Sequence, residues 1–375
     1  MQTKDKILPG KLLLLLAVIL ILGGLLFSGC TMRSTPVGWS GVAVTDDALF
    51  VASLEGELVG LNKSDGNPLW PACPLGTSKA KVAVYTTPAA DGDLIYVGGY
   101  NGRVFSVSSA SGYRGWVYPT DGNLEPIVSG LVVSGGRVYF GCNDGKVYAL
   151  SADEPRKEWE FQTGDKVWST PVVSGETVYV SSFDKKVYAL NAADGTKKWH
   201  FETGGGIVST PLVYNDTVYI GSFDRHIYAV DAANGSLRWR SEVEADKWFW
   251  AQPVAYDNVI YAPNLDGKVY MLNAENGYEV ASPIELDSPI SSSPVVVGDR
   301  VIIASQEGRV FSLDTSSNRV GTSIFTVSND DEVIRAPLCA SEGVVYIHAQ
   351  TSKHDTLYAV DAETGREVWV PVSLS

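Results

Sequence analysis

The sequence predicts an all-β protein: an eight-bladed β-propeller of four-stranded antiparallel blades, spanning residues 38–375. Three observations carry that expectation. A unit of eleven residues ending in tryptophan recurs along the chain, eight copies can be aligned, and successive copies end 40–47 residues apart. A period of that length is the size of one propeller blade.

The unit is plainest in ALSADEPRKEW ending at Trp159, ALNAADGTKKW at Trp199, AVDAANGSLRW at Trp239 and AVDAETGREVW at Trp369. Looser copies end at Trp70, Trp116, Ala281 and Thr322. Between Ser169 and Glu202, one period, three short β-branched and aromatic runs alternate with turn signals, and a fourth run bears the tryptophan. The seventh position is usually glycine, as at Gly195 and Gly235, where a tight turn needs a positive φ. Asn318 can also take that conformation, but Pro155 cannot, so the third blade must turn differently. Asn191, Asp231 and Asp361 at the third position can bond backbone groups of the same turn. A lone blade cannot bury both faces, whereas a ring of blades can. At one register of the outer strand, Trp70, Trp116, Trp159, Trp199, Trp239 and Trp369 are expected to dock structurally between neighbouring blades.

Residues 1–29 have the parts of a secretory signal. Lys4, Lys6 and Lys11 precede an apolar run from Leu12 to Phe27, followed by Ser28, Gly29 and Cys30. The stretch Leu26-Phe27-Ser28-Gly29-Cys30 resembles a bacterial lipobox, although Phe27 stands where that motif prefers leucine. The resemblance implies cleavage before Cys30, its lipidation, and a short tether over 30–37. An uncleaved transmembrane anchor is the alternative, since the run is just short of the roughly 18–20 residues a spanning helix needs. Either way the body is expected to be exported and attached to a lipid bilayer.

Composition narrows the function. With 45% hydrophobic and 19% charged residues the chain is an ordered globular protein. Its net charge of −14 repels phosphate backbones, which argues against nucleic-acid binding. Beyond Cys30 there remain Cys73, Cys142 and Cys339, without metal-ligand spacing. They read as small apolar core residues, or as one disulfide with a thiol left over. His200, His226, His348 and His354 fall in separate strands or loops with no base or nucleophile beside them, and read as structural. The acidic run Asp330-Asp331-Glu332 reads as a solvated loop. No catalytic residue, metal site or cofactor is expected, and the body should be monomeric.

The eleven-residue unit, roughly Ala-x-Asp/Asn-x-x-x-Gly-x-x-x-Trp, resembles the tryptophan-docking motif of the pyrroloquinoline-quinone (PQQ) repeat family across about residues 38–371. The resemblance implies one of two roles. Quinoprotein dehydrogenases of that family hold PQQ and calcium in the central funnel and usually carry an adjacent Cys-Cys pair, which this sequence lacks. The other branch is non-enzymatic and includes the BamB-type lipoproteins of the outer-membrane β-barrel assembly machinery. Length, signal, lipobox and repeat count together fit that branch, which implies a lipid-anchored scaffold binding protein partners. Its place would be the periplasmic side of the outer membrane in a diderm source, or the outer face of the cell membrane in a monoderm. A small-ligand-binding propeller and a surface adhesion or polysaccharide-binding module are the alternatives.

A partner is expected on the face built from the crossings between outer and next inner strands. Asp165–Pro171, Glu244–Pro253 and Asp330–Pro337 place Trp168, Trp248, Phe249 and Trp250 off the docking register, beside Lys166, Lys247 and Arg335. Aromatic rings with adjacent cations have the composition of an interaction hot spot, though the same rings could plug the funnel or pack on the next blade. The recurring pairs Thr87-Pro88, Thr170-Pro171, Thr210-Pro211 and Ser293-Pro294 are read as geometric, with proline fixing φ at entry to the inner strand. With the first inner strand set at Val37–Val44 and the last outer strand near Arg366–Ser373, all eight blades are complete without strand exchange between the termini. A one-strand shift would restore such an exchange.

Overall fold

Side chains alternate across a strand, and here both faces of each sheet are apolar. In the strands Val172–Ser174, Thr177–Ser181, Lys186–Asn191 and Lys197–Glu202, Val178, Val180, Tyr188 and Leu190 pack toward the preceding sheet. Tyr179, Val187, Ala189 and Trp199 pack toward the following one. A sheet without a polar face must sit between two others, and eight such sheets satisfy one another only by closing into a ring.

The computed structural model describes residues 38–77, 80–317, 319–329 and 331–375. The expected signal peptide, Cys30 and its tether, Asn318 and Asp330 lie outside the described residues. The described chain forms eight antiparallel sheets, blades 1 to 8, over residues 43–74, 89–118, 132–162, 172–202, 212–240, 254–285, 295–326 and 339–373. Each blade runs inner to outer in chain order, and no blade mixes strands from both termini. The first inner strand is shorter than expected, Ala43–Val44, and residues 38–42 lead into it. Blade 8 has a fifth strand, Val333–Ile334, paired with the far end of Val344–Gln350.

Apolar clusters bridge every consecutive pair of blades. The last joins Leu49, Val51 and Leu61 of blade 1 to Tyr346, Leu357 and Trp369 of blade 8. Six tryptophans lie at these seams. Each indole Nε1–H donates to a main-chain carbonyl of the next blade: Trp70 to Ser109, Trp116 to Ala152, Trp159 to Ala192, Trp199 to Ala232, Trp239 to Ala274 and Trp369 to Lys63. The motif glycine forms a ledge beneath the ring. At Gly235 φ is +76°, and an added Cβ would lie 2.7 Å from the Trp199 ring. Blade 3 carries Pro155 instead of that glycine, and Trp116, bonded to Ala152 at the start of that turn, is only partly buried. Where blade 7 meets blade 8 there is no tryptophan, and the Ile324 carbonyl occupies the space over Gly365.

The three downstream cysteines are free thiols in blade 1, the turn after the second strand of blade 3, and blade 8. Burial raises Cys142 to about 12 and Cys339 to about 11, which keeps both neutral. Among the described residues no helix is long and apolar enough to cross a membrane.

Candidate functional site

The crossing between consecutive blades has one repeating order. A buried apolar residue comes first, as Val84, Ile127, Val167, Ile207 or Ile290. Next comes a residue that lines the axis: Tyr85, Val128, Trp168, Val208 or Ser291. A buried small residue follows, such as Ser169 or Ser209, and then the position occupied by Thr170, Thr210 or Ser293.

That last position ties adjacent blades around the axis. Thr170 Oγ1 accepts the Gly130 N–H at 3.1 Å, Thr210 Oγ1 accepts the Thr170 N–H at 3.2 Å, and Ser293 Oγ accepts the Gln252 N–H at 3.1 Å. The hydroxyl before proline is thus a bonding group as well as a neighbour of a geometric residue. Beneath the mouth these side chains surround an axial cavity of about 90 Å3.

The crossings are anchored by carboxylates in the turns between second and third strands. Asp184 Oδ2 accepts the Gly164 N–H at 2.6 Å and the Tyr188 hydroxyl at 2.5 Å, at the start of the crossing that carries Trp168. Asp224 Oδ2 repeats this with Gly204 at 2.6 Å and Tyr228 at 2.7 Å. Burial, then the hydrogen bond to Asp224, raises the Tyr228 phenol to about 12, so it remains a donor. In blade 8 this part is taken by Glu332, which accepts hydrogen bonds from Thr356 at 2.7 Å and Tyr358 at 2.5 Å. Glu332 is only 1% exposed, which corrects its reading as part of a solvated acidic loop. The strand Val333–Ile334 draws it inward onto two hydroxyls.

The expected partner residues separate into two groups. Trp168, Trp248 and Trp250 form one aromatic surface with Phe183 and Phe223. Trp168 packs edge-on against Phe183 at 4.8 Å and against Trp250 at 6.4 Å, while Trp248 stacks on Phe223 at 4.7 Å. The Trp168 indole donates to Asn143 Oδ1 at 2.6 Å, which fixes its angle. Trp248 is 50% exposed. Phe249 does not belong to this surface and the expectation is corrected: it is 1% exposed and packs on Tyr270 in the seam. The repeat register gives the reason, because Phe249 stands where other crossings place the buried Val or Ile.

Lys166, Lys247 and Arg335 are all exposed. None of them lies within ion-pair distance of a carboxylate among the described residues, whereas nearby Lys268 is paired with Asp246 at 2.8 Å. Arg335 and Trp250 also border a second pocket of about 220 Å3, with Trp39, Leu265, Ser291 and Gln306.

Sequence reading missed Trp39, Tyr85, Tyr100, Phe183 and Phe223. Trp39 meets Tyr85 edge-on at 4.6 Å, and Tyr85 lies 5.3 Å from Tyr100. Aligning the crossings would have found the first two, which share the register of Trp168 and Trp250. Phe183 and Phe223 each directly precede the anchoring aspartate.

The lining does not fit PQQ with calcium. Such a site needs several oxygen ligands, commonly carboxylates, and a base for the substrate proton. Both cavities are bounded by hydroxyls, amides, aromatic rings and one guanidinium, with no carboxylate among the lining side chains. Among the described residues no group of three His, Cys, Asp or Glu side chains could hold a metal ion.

Known proteins resemble this chain at three levels. The curated quinoprotein ethanol dehydrogenase of Pseudomonas putida is 33% identical over 78 residues, 19% of this chain and only 12% of that enzyme's length. The solved structure of BamB from Moraxella catarrhalis superposes with a TM-score of 0.70 at 18% identity, covering 85% of this chain and 92% of that one. A computationally designed protein, Ika8, superposes with a TM-score of 0.71 at 14% identity, covering 88% and 97%. At such identities the two superpositions speak for the eight-bladed fold alone. The family model described as outer membrane protein assembly factor BamB matches residues 31–167 and 156–370. With the match extending through all eight blades, this chain belongs to the BamB family.

Proposed function

We propose that the chain is a non-enzymatic scaffold, held at the envelope membrane by a lipid on Cys30, that binds a protein partner in outer-membrane β-barrel assembly through its funnel mouth. In a source with two membranes it would work on the periplasmic side of the outer membrane. The observation that carries the reading is the mouth itself. An exposed aromatic surface with three cations that have no ion-pair partner among the described residues is placed by anchored loops over a cavity lined by no carboxylate, histidine or cysteine side chain. Rings held this way bury area at little entropic cost, and adjacent cations orient a partner.

A photo-crosslinker placed at Trp248 is expected to capture a β-barrel assembly component from membranes, and one at Glu176, in a turn on the opposite face, is expected not to. Recovery of no such component from Trp248, or equal recovery from both positions, removes the proposal. The anchor has its own test. Mass spectrometry of the membrane-bound protein is expected to find a lipid-modified Cys30 as its first residue; an N-terminus that still carries the Leu12 to Phe27 run would argue for an uncleaved apolar anchor instead.

A further inference from the structure

We infer that the pocket beside the axis is a receptor for the C-terminal residue of a partner polypeptide, taking its free α-carboxylate on Arg335 and its large apolar side chain between Trp39, Trp250 and Leu265. This rests on the funnel mouth being the partner-binding face.

Charge is the first argument. Arg335 is exposed at the pocket, has no ion-pair partner among the described residues, and no carboxylate belongs to the six residues that form the walls. A guanidinium presents donors in a fixed fork that matches a carboxylate. Ser291 completes the polar side. Its Oγ accepts from Gln306 Nε2 at 2.9 Å, which leaves the hydroxyl proton for an incoming acceptor. The polar side of the pocket therefore offers donors to an anion. The whole protein carries −14, so long-range attraction does not bring an anion here. The pocket must select it at short range.

Size and apolar walls set the rest of the ligand. The pocket is about 220 Å3, smaller than the roughly 300–1,000 Å3 of sites for drug-sized molecules. That is space for about one residue, and three of its six walls are Trp39, Trp250 and Leu265. The occupant must hold a carboxylate and a large apolar body within that one residue. A mid-chain Asp or Glu has the anion without the body. A C-terminal leucine or phenylalanine has both on a single Cα, and its chain can leave along the aromatic surface of Trp250, Phe223 and Trp248, whose rings are stacked.

The test uses purified propeller and three probes: a tetrapeptide ending in phenylalanine with a free carboxylate, its C-terminal amide, and an amidated peptide with glutamate in mid-chain. Binding is read by calorimetry and by tryptophan fluorescence. The free acid is expected to bind roughly ten- to a hundredfold tighter than the amide, the range of one charge-assisted hydrogen-bonded pair. Arg335→Gln is expected to abolish that preference, while Lys197→Gln, on an outer strand away from the mouth, retains it. Both positions are exposed, so folding is not at risk. Equal binding of acid and amide, binding of the glutamate peptide as tight as the free acid, or a preference that survives Arg335→Gln would each overturn the inference. If crosslinking at Trp248 captures an assembly component while no peptide binds, the inference fails alone. If the free acid binds selectively and no assembly component is captured, the assembly role fails alone.

Discussion

Asp355→Ala is expected to lower the stability of the propeller by roughly 3–5 kcal/mol, the usual cost of leaving one member of a buried ion pair without its partner. The site is the seam between blades 8 and 1. His348 Nδ1 lies 2.7 Å from the Ser40 carbonyl, and Nε2 lies 3.2 Å from Asp355 Oδ2, with both side chains almost wholly buried at 1% and 0% exposure. Each ring nitrogen thus lies within hydrogen-bond distance of a buried oxygen, one on each side of the seam. Asp355 Oδ2 also accepts the Leu54 N–H of blade 1 at 2.8 Å. Removing the carboxylate leaves a buried ring nitrogen and a buried amide without their partner at the join between the last blade and the first. Urea denaturation of wild type and variant at pH 7 measures the loss, and a difference under 1 kcal/mol would refute it.

The same pair gives a pH signature. Burial raises the Asp355 carboxyl, but the hydrogen bond and charge of His348, with the Ser375 hydroxyl and Leu54 amide, outweigh that and hold it below the usual carboxylate range. A depressed folded pKa contributes stability that is complete above the unfolded value of about 4 and is lost as pH falls through the folded value. The gap between wild type and Asp355→Ala should therefore narrow on acidification below about pH 4. A gap of constant size would mean that the carboxylate contributes by shape alone.

This latch was poorly legible in the sequence, and the reason is topological. His348 and Asp355 are seven residues apart, but their bonds to Ser40 and Leu54 cross about 300 residues of chain, a distance no local pattern spans. The reading of His348 as lacking a partner followed from inspecting neighbours in sequence only. The blade repeats were legible for the opposite reason: their period is local and the same packing problem is solved in each. The tight turns at Gly195 and Gly235 and the irregular third blade at Pro155 follow from residues within one unit, and the number of blades from the number of its copies. The funnel mouth was half legible. Trp168, Trp248 and Trp250 stood out because they break the docking register, but the inward turn of Phe249 required the crossings to be aligned with one another. Glu332 looked solvated because it ends an acidic run, and only the extra strand of blade 8 explains its burial.

The remaining large effect falls on the repeat itself. Trp199→Ala is expected to cost about 3–5 kcal/mol, the range for emptying a large aromatic from a packed site. The indole is buried between blades 4 and 5, lies 5.8 Å from the Tyr179 ring, and bonds the Ala232 carbonyl at 3.0 Å. Trp248→Ala, on the exposed mouth, is expected to change stability by no more than about 0.5 kcal/mol, which separates seam tryptophans from mouth tryptophans in one denaturation series. Gly235 sharpens the test. Gly235→Ala in the wild type meets two penalties: a positive φ that costs a residue with a Cβ about 1–2 kcal/mol, and a Cβ placed 2.7 Å from the Trp199 ring. In the Trp199→Ala background the second penalty disappears and only the first remains. The double variant should therefore be more stable than the sum of the single losses predicts, by roughly 0.5–3 kcal/mol, the range for residues in direct contact. Strict additivity would show that Gly235 serves only its own turn, and that the indole does not need a glycine beneath it to close the seam.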